Sequence, residues 1–247
     1  MVEIFTIAFT EFKLLASRVV ERAPENDRKP IVNILENIME LKTITDTLLT
    51  GDADVLESKV KAALDGGTSA KEILNGALIP GMDIVGERME SGEMFIPEVL
   101  MSAQAMAASV EILKPLLADG DIVSAGKVAI GTVQGDLHDI GKNLVSMMLE
   151  SAGFDVIDLG VDVAPEKFVD AVANDGANFI CLSALLTTTM DTMRRTINII
   201  EEKGLKAKVK VLVGGAPVNQ SFADEIGADG YAADAGSASK LAKTMIN

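Results

Sequence analysis

Tryptophan is absent from these 247 residues; tyrosine, histidine and cysteine occur once each, and aromatic residues make up 4%. A core with so few rings has to be packed from Leu, Ile, Val, Ala and the 12 Met, and a 48% hydrophobic content is enough for it. The one cysteine, Cys181, excludes an internal disulfide and suits a reducing cytoplasm. Bases are also scarce, at 22 against 37 acids, for a net charge of -15. Residues 1–120 hold 20 acids and 11 bases (-9), and residues 121–247 hold 17 and 11 (-6). Neither half therefore hides the positive face that a nucleic-acid partner requires. No apolar run approaches the roughly 20 residues that span a bilayer, so no membrane partner is expected. The apolar start MVEIFTIAFTEF is interrupted by Glu3 and Glu11 and lacks a basic n-region and a small-residue cleavage site. It reads as an amphipathic helix, not a signal peptide.

The length allows one large or two medium domains. After the break at Pro24-Glu25-Asn26-Asp27, the residues Ile31, Ile34, Leu35, Ile38, Leu41 and Ile44 form a stripe that predicts a helix over about 30–49. A shorter helix ends at Gly66-Gly67. Ser69-Ala70-Lys71-Glu72 is a capping box that starts another. Pro80-Gly81 marks a turn or kink, Ser91-Gly92 a stop, and 96–117 a long helix with Pro97 in its first turn. Residues 31–118 thus read as a helical-bundle domain, preceded by a 1–30 extension and followed by a linker at 119–125.

From Gly126 the periodicity changes. Strand-length apolar runs at 127–133, 155–159, 179–183, 209–213 and 230–233 alternate with helical runs at about 142–152, 165–174, 188–203, 218–226 and 236–246. Five such repeats over 126–247 predict an α/β domain with a five-stranded, parallel, doubly wound sheet of the Rossmann or flavodoxin type.

The carboxyl ends of the strands in such a sheet form the ligand crevice. Three of these ends are unusual: Gly135-Asp136-Leu137-His138-Asp139-Ile140-Gly141, the hydroxyl-rich run Ser183 to Thr189, and Gly214-Gly215. Small residues, hydroxyls and one imidazole suit a large, mostly neutral ligand with a metal at one end. Neither GxGxxG nor a glycine-rich loop with Gly-Lys-Ser/Thr is present, so a nucleotide phosphate fits less well. One histidine and one distant cysteine cannot supply a zinc site, and Ser183 lies in no nucleophile elbow.

Asp136-x-His138-x-x-Gly141, Ser183-x-Leu185 and Gly214-Gly215, with 41 residues between Gly141 and Ser183, resemble the DxHxxG…SxL…GG signature of the cobalamin-binding family. The run Gly135 to Asn143 is similar to that of methionine synthases and methyltransferase corrinoid proteins. The segment Gly92-Glu93-Met94-Phe95-Ile96-Pro97-Glu98-Val99 resembles the helical cap over the upper corrin face. The resemblance covers about 35–247. It implies a corrinoid cofactor (methylcobalamin and cob(I)alamin forms) whose cobalt takes His138 as lower axial ligand, with Asp136 and Thr189 completing a relay. Gly135, Leu137, Asp139, Ile140 and Gly141 would lie with that ligand. Ser183, Leu185, Thr187, Gly214 and Gly215 would line a tunnel for the nucleotide tail, closed near Tyr231 and Ala235. Met94, Phe95 and Met101 would shield the upper face, and the linker near 117–121 would be a hinge. The implied role is a methyl carrier between a substrate-specific corrinoid methyltransferase and a second methyltransferase acting on coenzyme M or tetrahydrofolate, with a corrinoid reductive activase as a further partner.

Plainer readings stand beside these. Asp139 is expected to be a helix cap, and one of Thr187–Thr189 caps the following helix as well. Cys181 is a buried small hydrophobe; Met39, Met106, Met147 and Met148 are core residues, and for Met94 the core reading stands beside the cap-face one. The rival functions are the small subunit of an adenosylcobalamin mutase, which usually lacks this cap, and a cobalamin-based sensor, which would need a DNA-binding module that residues 1–30 are too short and acidic to form.

Overall fold

Pro24 precedes, and Pro30 lies within, the first full helix of the described residues. The computed structural model describes residues 21–117 and 124–246; the segment over 3–20 and most of the linker lie outside them. Helix α1 (Glu25–Leu48) starts six residues before the apolar stripe and takes Pro30 into its second turn. Its N-terminal half has no buried side chain, whereas Ile44, Thr47 and Leu48 enter the core. Helix α2 (Ala53–Gly66) is capped by the Asp52 carboxylate, which accepts the Val55 N–H at 3.1 Å, and it ends at Gly67 with φ 97°.

The capping box is present: Ser69 caps α3 (Ala70–Ile73), and the Glu72 carboxylate accepts the Ser69 N–H at 3.0 Å. No turn follows at Pro80. A π-helical turn over Leu74–Leu78 leads directly into α4 (Ile79–Glu90). Proline has no N–H to give its helix, and a wider turn just before it takes up the mismatch, so the chain stays helical from 70 to 90. Helix α5 (Ile96–Leu113) has Pro97 in its first turn, with the Glu98 carboxylate accepting the Phe95 N–H at 2.9 Å. Pro115 tightens its end into a 3-10 turn. With that turn, the 21 residues Ile96–Leu116 are long and apolar enough to cross a bilayer, at mean hydropathy 1.2, so the expectation that no run reaches that length is corrected. In this fold Val99, Ala103, Met106 and Leu113 of the same helix are buried in the bundle core.

The second half has strands β1 (Lys127–Thr132), β2 (Asp155–Asp158), β3 (Phe179–Ser183), β4 (Lys210–Gly214) and β5 (Gly230–Ala232), all parallel in the order β2-β1-β3-β4-β5. Helices α6 (Ile140–Ser151), α7 (Pro165–Ala173), α8 (Met190–Glu202), α9 (Gln220–Ile226) and α10 (Ala235–Thr244) connect and follow them. Alternate strand residues face opposite layers. Val128, Ile130, Phe179, Cys181 and Leu212 pack on α6 and α10 through Leu149, Ala152 and Ala242. Ala129, Ile180, Leu182, Val211 and Val213 pack on the other helices through Phe168, Met193, Ile197 and Ala223. The bundle lies against the α6/α10 layer. Leu144 and Met148 of α6 and Ala235 of α10 share one apolar cluster with the bundle core. The order reverses beside β1, so the loops after β1 and β3 flank the switch point where such sheets hold ligands.

Candidate functional site

The β1–α6 loop is shaped by its own backbone. The Asp136 N–H donates to Val133 O at 3.1 Å around Gly135, which sits at φ +90°. The Thr132 hydroxyl donates to His138 O at 2.7 Å and ties the far side of the loop to the strand. Asp136 is thereby turned inward and fully buried, while the His138 side chain stays 51% exposed.

Asp136 accepts five hydrogen bonds. Its Oδ1 takes the His138 N–H at 3.1 Å and His138 Nδ1 at 2.6 Å; its Oδ2 takes the N–H groups of Leu185 at 2.7 Å and Leu186 at 3.1 Å and the Thr189 hydroxyl at 3.0 Å. Burial alone would push this carboxyl up. The bonds from the His138 ring, the Leu185 and His138 N–H groups and Thr189 outweigh it and hold the group well below the usual carboxylate range. A permanent carboxylate fixes the imidazole: in the neutral ring Nδ1 keeps the proton and Nε2 keeps the lone pair. The single Thr189 proton has two acceptors, Asp136 Oδ2 and Leu186 O at 2.9 Å.

Around the imidazole stand apolar side chains left in solvent: Leu137 (72% exposed), Ile140 (76%), Leu185, Leu186 and Val161. A Cβ added at Gly141 would meet no atom within 4 Å, so open space lies at the start of α6. Gly215 is the opposite case. At φ +123° its Cβ would overlap the carbonyl of Ala184, so only glycine lets this loop pass the end of β3. Ser183 and Gly214 are half-buried, Thr187 is exposed, and Ser183 pairs with Gly214 in the β3–β4 register. Among the described residues no three His, Cys, Asp or Glu side chains converge on a metal. One imidazole nitrogen above an exposed apolar rim fits a metal already held in a broad ring.

Several expectations need correction. Met94 does not face the loops; it is buried in the bundle core, where a flexible apolar chain fills space between helices. Phe95 (68% exposed) and Met101 (50%) are the outward residues of that region. Ala235 also packs into the bundle cluster, whereas Tyr231 packs with the layer on the other side of the sheet, so the two do not form one wall. Asp139 stands at the N-cap of α6, but its side chain caps no N–H; it accepts from Asn143 Nδ2 at 3.3 Å. Thr189, at the N-cap of α8, likewise makes no cap bond and turns to Asp136.

Three contributors have no sequence signature: the Leu185 and Leu186 backbone N–H groups, Asp162, and the pair Lys142–Asp158. Asp162 accepts the Gly135 N–H at 2.7 Å, and its own N–H donates to Asp136 O at 3.0 Å. Lys142 is buried, with its Nζ 2.5 Å from Asp158 Oδ2. A Lys within a helix start and an Asp at a strand end are individually ordinary.

A helical bundle beside a parallel sheet, with this histidine turn at the switch point, defines a cobalamin-binding module. Residues 126–239 match the B12 binding domain model, and residues 40–114 match a second model of the same description. The chain is 42% identical over 211 residues to a corrinoid protein of Desulfitobacterium hafniense, covering 83% of this chain and 97% of that one. It is 44% identical over 207 residues to dimethylamine corrinoid protein 1 of Methanosarcina acetivorans, with 83% and 97% covered. Among solved structures, a cobalamin-binding protein of D. hafniense superposes with TM-score 0.73 at 33% identity, over 84% of this chain and 98% of that one. A chain of the methanol:cobalamin methyltransferase complex of Methanosarcina barkeri gives 0.74 at 32%, over 84% and 80%. The chain belongs to the family of corrinoid proteins of methyltransferase systems, and its cofactor is a corrinoid.

Proposed function

We propose that this protein is a methyl carrier that shuttles between two methyltransferases. The observation that carries the reading is the buried Asp136 carboxylate, whose Oδ1 holds His138 Nδ1 and leaves Nε2 free on a half-exposed ring. When bound, the corrinoid supplies a cobalt centre that accepts and gives up a methyl group. The chain's own residues hold that centre and regulate it. His138 would hold the cobalt through Nε2. Asp136 keeps the proton on Nδ1 and raises the ring's basicity as a donor, and Thr189 steadies Asp136. Gly141 would leave room for the group, Leu137, Ile140 and Leu185 would cover its apolar edge, and Ser183, Thr187, Gly214 and Gly215 would hold its nucleotide tail. Phe95 and Met101 offer apolar cover from the bundle and exclude water when the bundle lies over the site.

The relatives named for dimethylamine and the complex named for methanol favour this reading over a mutase subunit or a sensor. We assign the first partner to a substrate-specific corrinoid methyltransferase, with a methylated amine or an alcohol as donor. The second partner is a methyltransferase serving coenzyme M or tetrahydrofolate, and a reductive activase restores reduced cobalt. All three meet the carrier in the cytoplasm, where the free Cys181 stays reduced.

The test is single-turnover loading. Reduced, cobalamin-loaded protein is mixed with a substrate-specific corrinoid methyltransferase for a methylated amine or methanol and that enzyme's donor. One methyl group per chain, followed by its transfer to an added second methyltransferase, supports the carrier role. Turnover that requires an adenosyl upper ligand contradicts it.

A further inference from the structure

Asp162 is neither part of the histidine turn nor a side chain of the rim, yet it is bonded to both sides of one peptide unit in that turn. Its Oδ1 accepts the Gly135 N–H at 2.7 Å, and its N–H donates to the Asp136 carbonyl at 3.0 Å. Between these two bonds lies the Gly135–Asp136 link, from which the Asp136 side chain departs. The price is local. Asp162 has φ +52°, the left-handed region, and it is the one non-glycine residue with positive φ among the described residues. Aspartate tolerates that region better than most, but a glycine would sit there without strain, and the next loop position but one before it, Gly160, already shows glycine in use at φ +86°. A strained residue kept for its side-chain acceptor points to a role for that acceptor.

The surrounding bonds show what is being held. On the sheet side, the Thr132 N–H donates to Gly160 O at 3.0 Å and the Val163 N–H to Thr132 O at 3.0 Å, so the β2–α7 loop is stitched to the end of β1. On the helix side, Lys142 reaches Asp158, whose Oδ1 accepts the Gly160 N–H at 2.9 Å. The loop from Asp158 to Val163 is therefore anchored at both ends, and Asp162 is the point where this support touches the glycine-containing turn. Gly135 at φ +90° has no side chain to restrain it; without Asp162 the Gly135–Asp136 peptide loses the bonds that brace it on both sides and keeps the one from the Asp136 N–H to Val133 O at 3.1 Å. Loosening there would reach Asp136, and with it the ring bonded to Oδ1 at 2.6 Å.

We infer that Asp162 is a positioning residue for the Asp136–His138 pair: its carboxylate and its N–H brace the turn on either side of the Gly135–Asp136 peptide and so set how well the imidazole is presented to a corrinoid cobalt. The inference rests on the reading of His138 as lower axial ligand, and it concerns presentation of the ring, not bonding to the metal.

The experiment uses the full chain, loaded with cobalamin and held as Co(II), with electron paramagnetic resonance as the readout. Axial nitrogen splits the cobalt lines, and 15N-labelled histidine tells imidazole from the cofactor's own base by turning each triplet into a doublet; the nitrogen splitting measured is that labelled signal. Asp162→Gly removes the acceptor and relieves the strain, so its melting midpoint without cofactor should equal or exceed that of the original chain. The expected result is loss of the nitrogen splitting from the larger part of the signal in Asp162→Gly, and its retention in Asp162→Asn, where an amide oxygen still accepts the Gly135 N–H. Amide hydrogen exchange of Gly135 in the cofactor-free chain gives a second readout, faster in Asp162→Gly and little changed in Asp162→Asn. Full splitting in Asp162→Gly beside full splitting in the original chain overturns the inference alone. An original chain with no nitrogen splitting, identical to His138→Ala, overturns the lower-ligand reading and the inference with it.

Discussion

Gly86 of α4 and Gly236 of α10 cross in direct backbone contact: a Cβ on Gly236 would lie 2.5 Å from Gly86 O, and one on Gly86 would lie 3.5 Å from Gly236 Cα. This crossing joins the bundle to the sheet unit. Two ion pairs flank it, Lys243 with Asp83 and Lys240 with Glu90 at 3.5 Å. Both pairs are partly exposed, so they orient the contact more than they stabilise it. Gly236→Ala should push the two helices apart. We expect a loss of about 1–3 kcal/mol in denaturant unfolding, the usual cost of overpacking, and a protease-sensitive linker. An unchanged midpoint would show that the bundle is not seated here.

Thr189 gives its proton to Asp136, at 3.0 Å, from a buried position. Thr189→Ser keeps the hydroxyl, and Thr189→Val keeps the shape. The valine variant should leave one lone pair of Asp136 unserved, at a cost of about 1 kcal/mol in stability, and should shift the pH at which the loaded protein loses its imidazole ligand. The serine variant should behave like the original in that pH titration. Equal behaviour of valine and serine would remove Thr189 from the relay.

Lys142 is buried against Asp158, a half-exposed carboxylate. Burial raises the Asp158 carboxyl, but the Lys142 bond, the Gly160 N–H and the Lys142 charge together hold it below its usual value. A depressed folded-state pKa contributes stability above the unfolded value, near 3.9 for Asp, and that contribution is lost as pH falls through the folded value. Asp158→Asn should therefore be less stable at pH 7, by about 1 kcal/mol given the solvent screening at Asp158. The deficit should shrink below about pH 4 as the original chain is protonated too. Urea unfolding of both proteins at pH 7 and at pH 3.5 measures it; a deficit that is constant with pH would contradict the charge-based account.

The sequence made the architecture readable where periodicity was strong. Phe179–Ser183 is a strand at the expected boundaries, and all five strands and their helices fall within a few residues of expectation. Ser69 and Glu72 cap as their spacing implies. Pro80 misled, because a proline predicts a break in a helix but does not reveal a π turn that absorbs it. Met94 misled because a helix-start position does not say which way a flexible side chain turns. The imidazole–carboxylate–hydroxyl chain of His138, Asp136 and Thr189 followed from a motif. The backbone N–H groups of Leu185 and Leu186 could not have followed from it, since donor direction depends on the loop's dihedral angles. Asp162 was hidden for a similar reason: its left-handed conformation and its reach across to Gly135 arise only once β1 and β2 lie side by side.

The most direct measurement is the visible spectrum of the cobalamin-loaded protein beside its His138→Ala variant. We expect the original chain to show the spectrum of a cobalt with an axial imidazole, and the variant to bind cobalamin with a base-off spectrum. Identical spectra for the two proteins would contradict the assignment of His138 as the cobalt ligand.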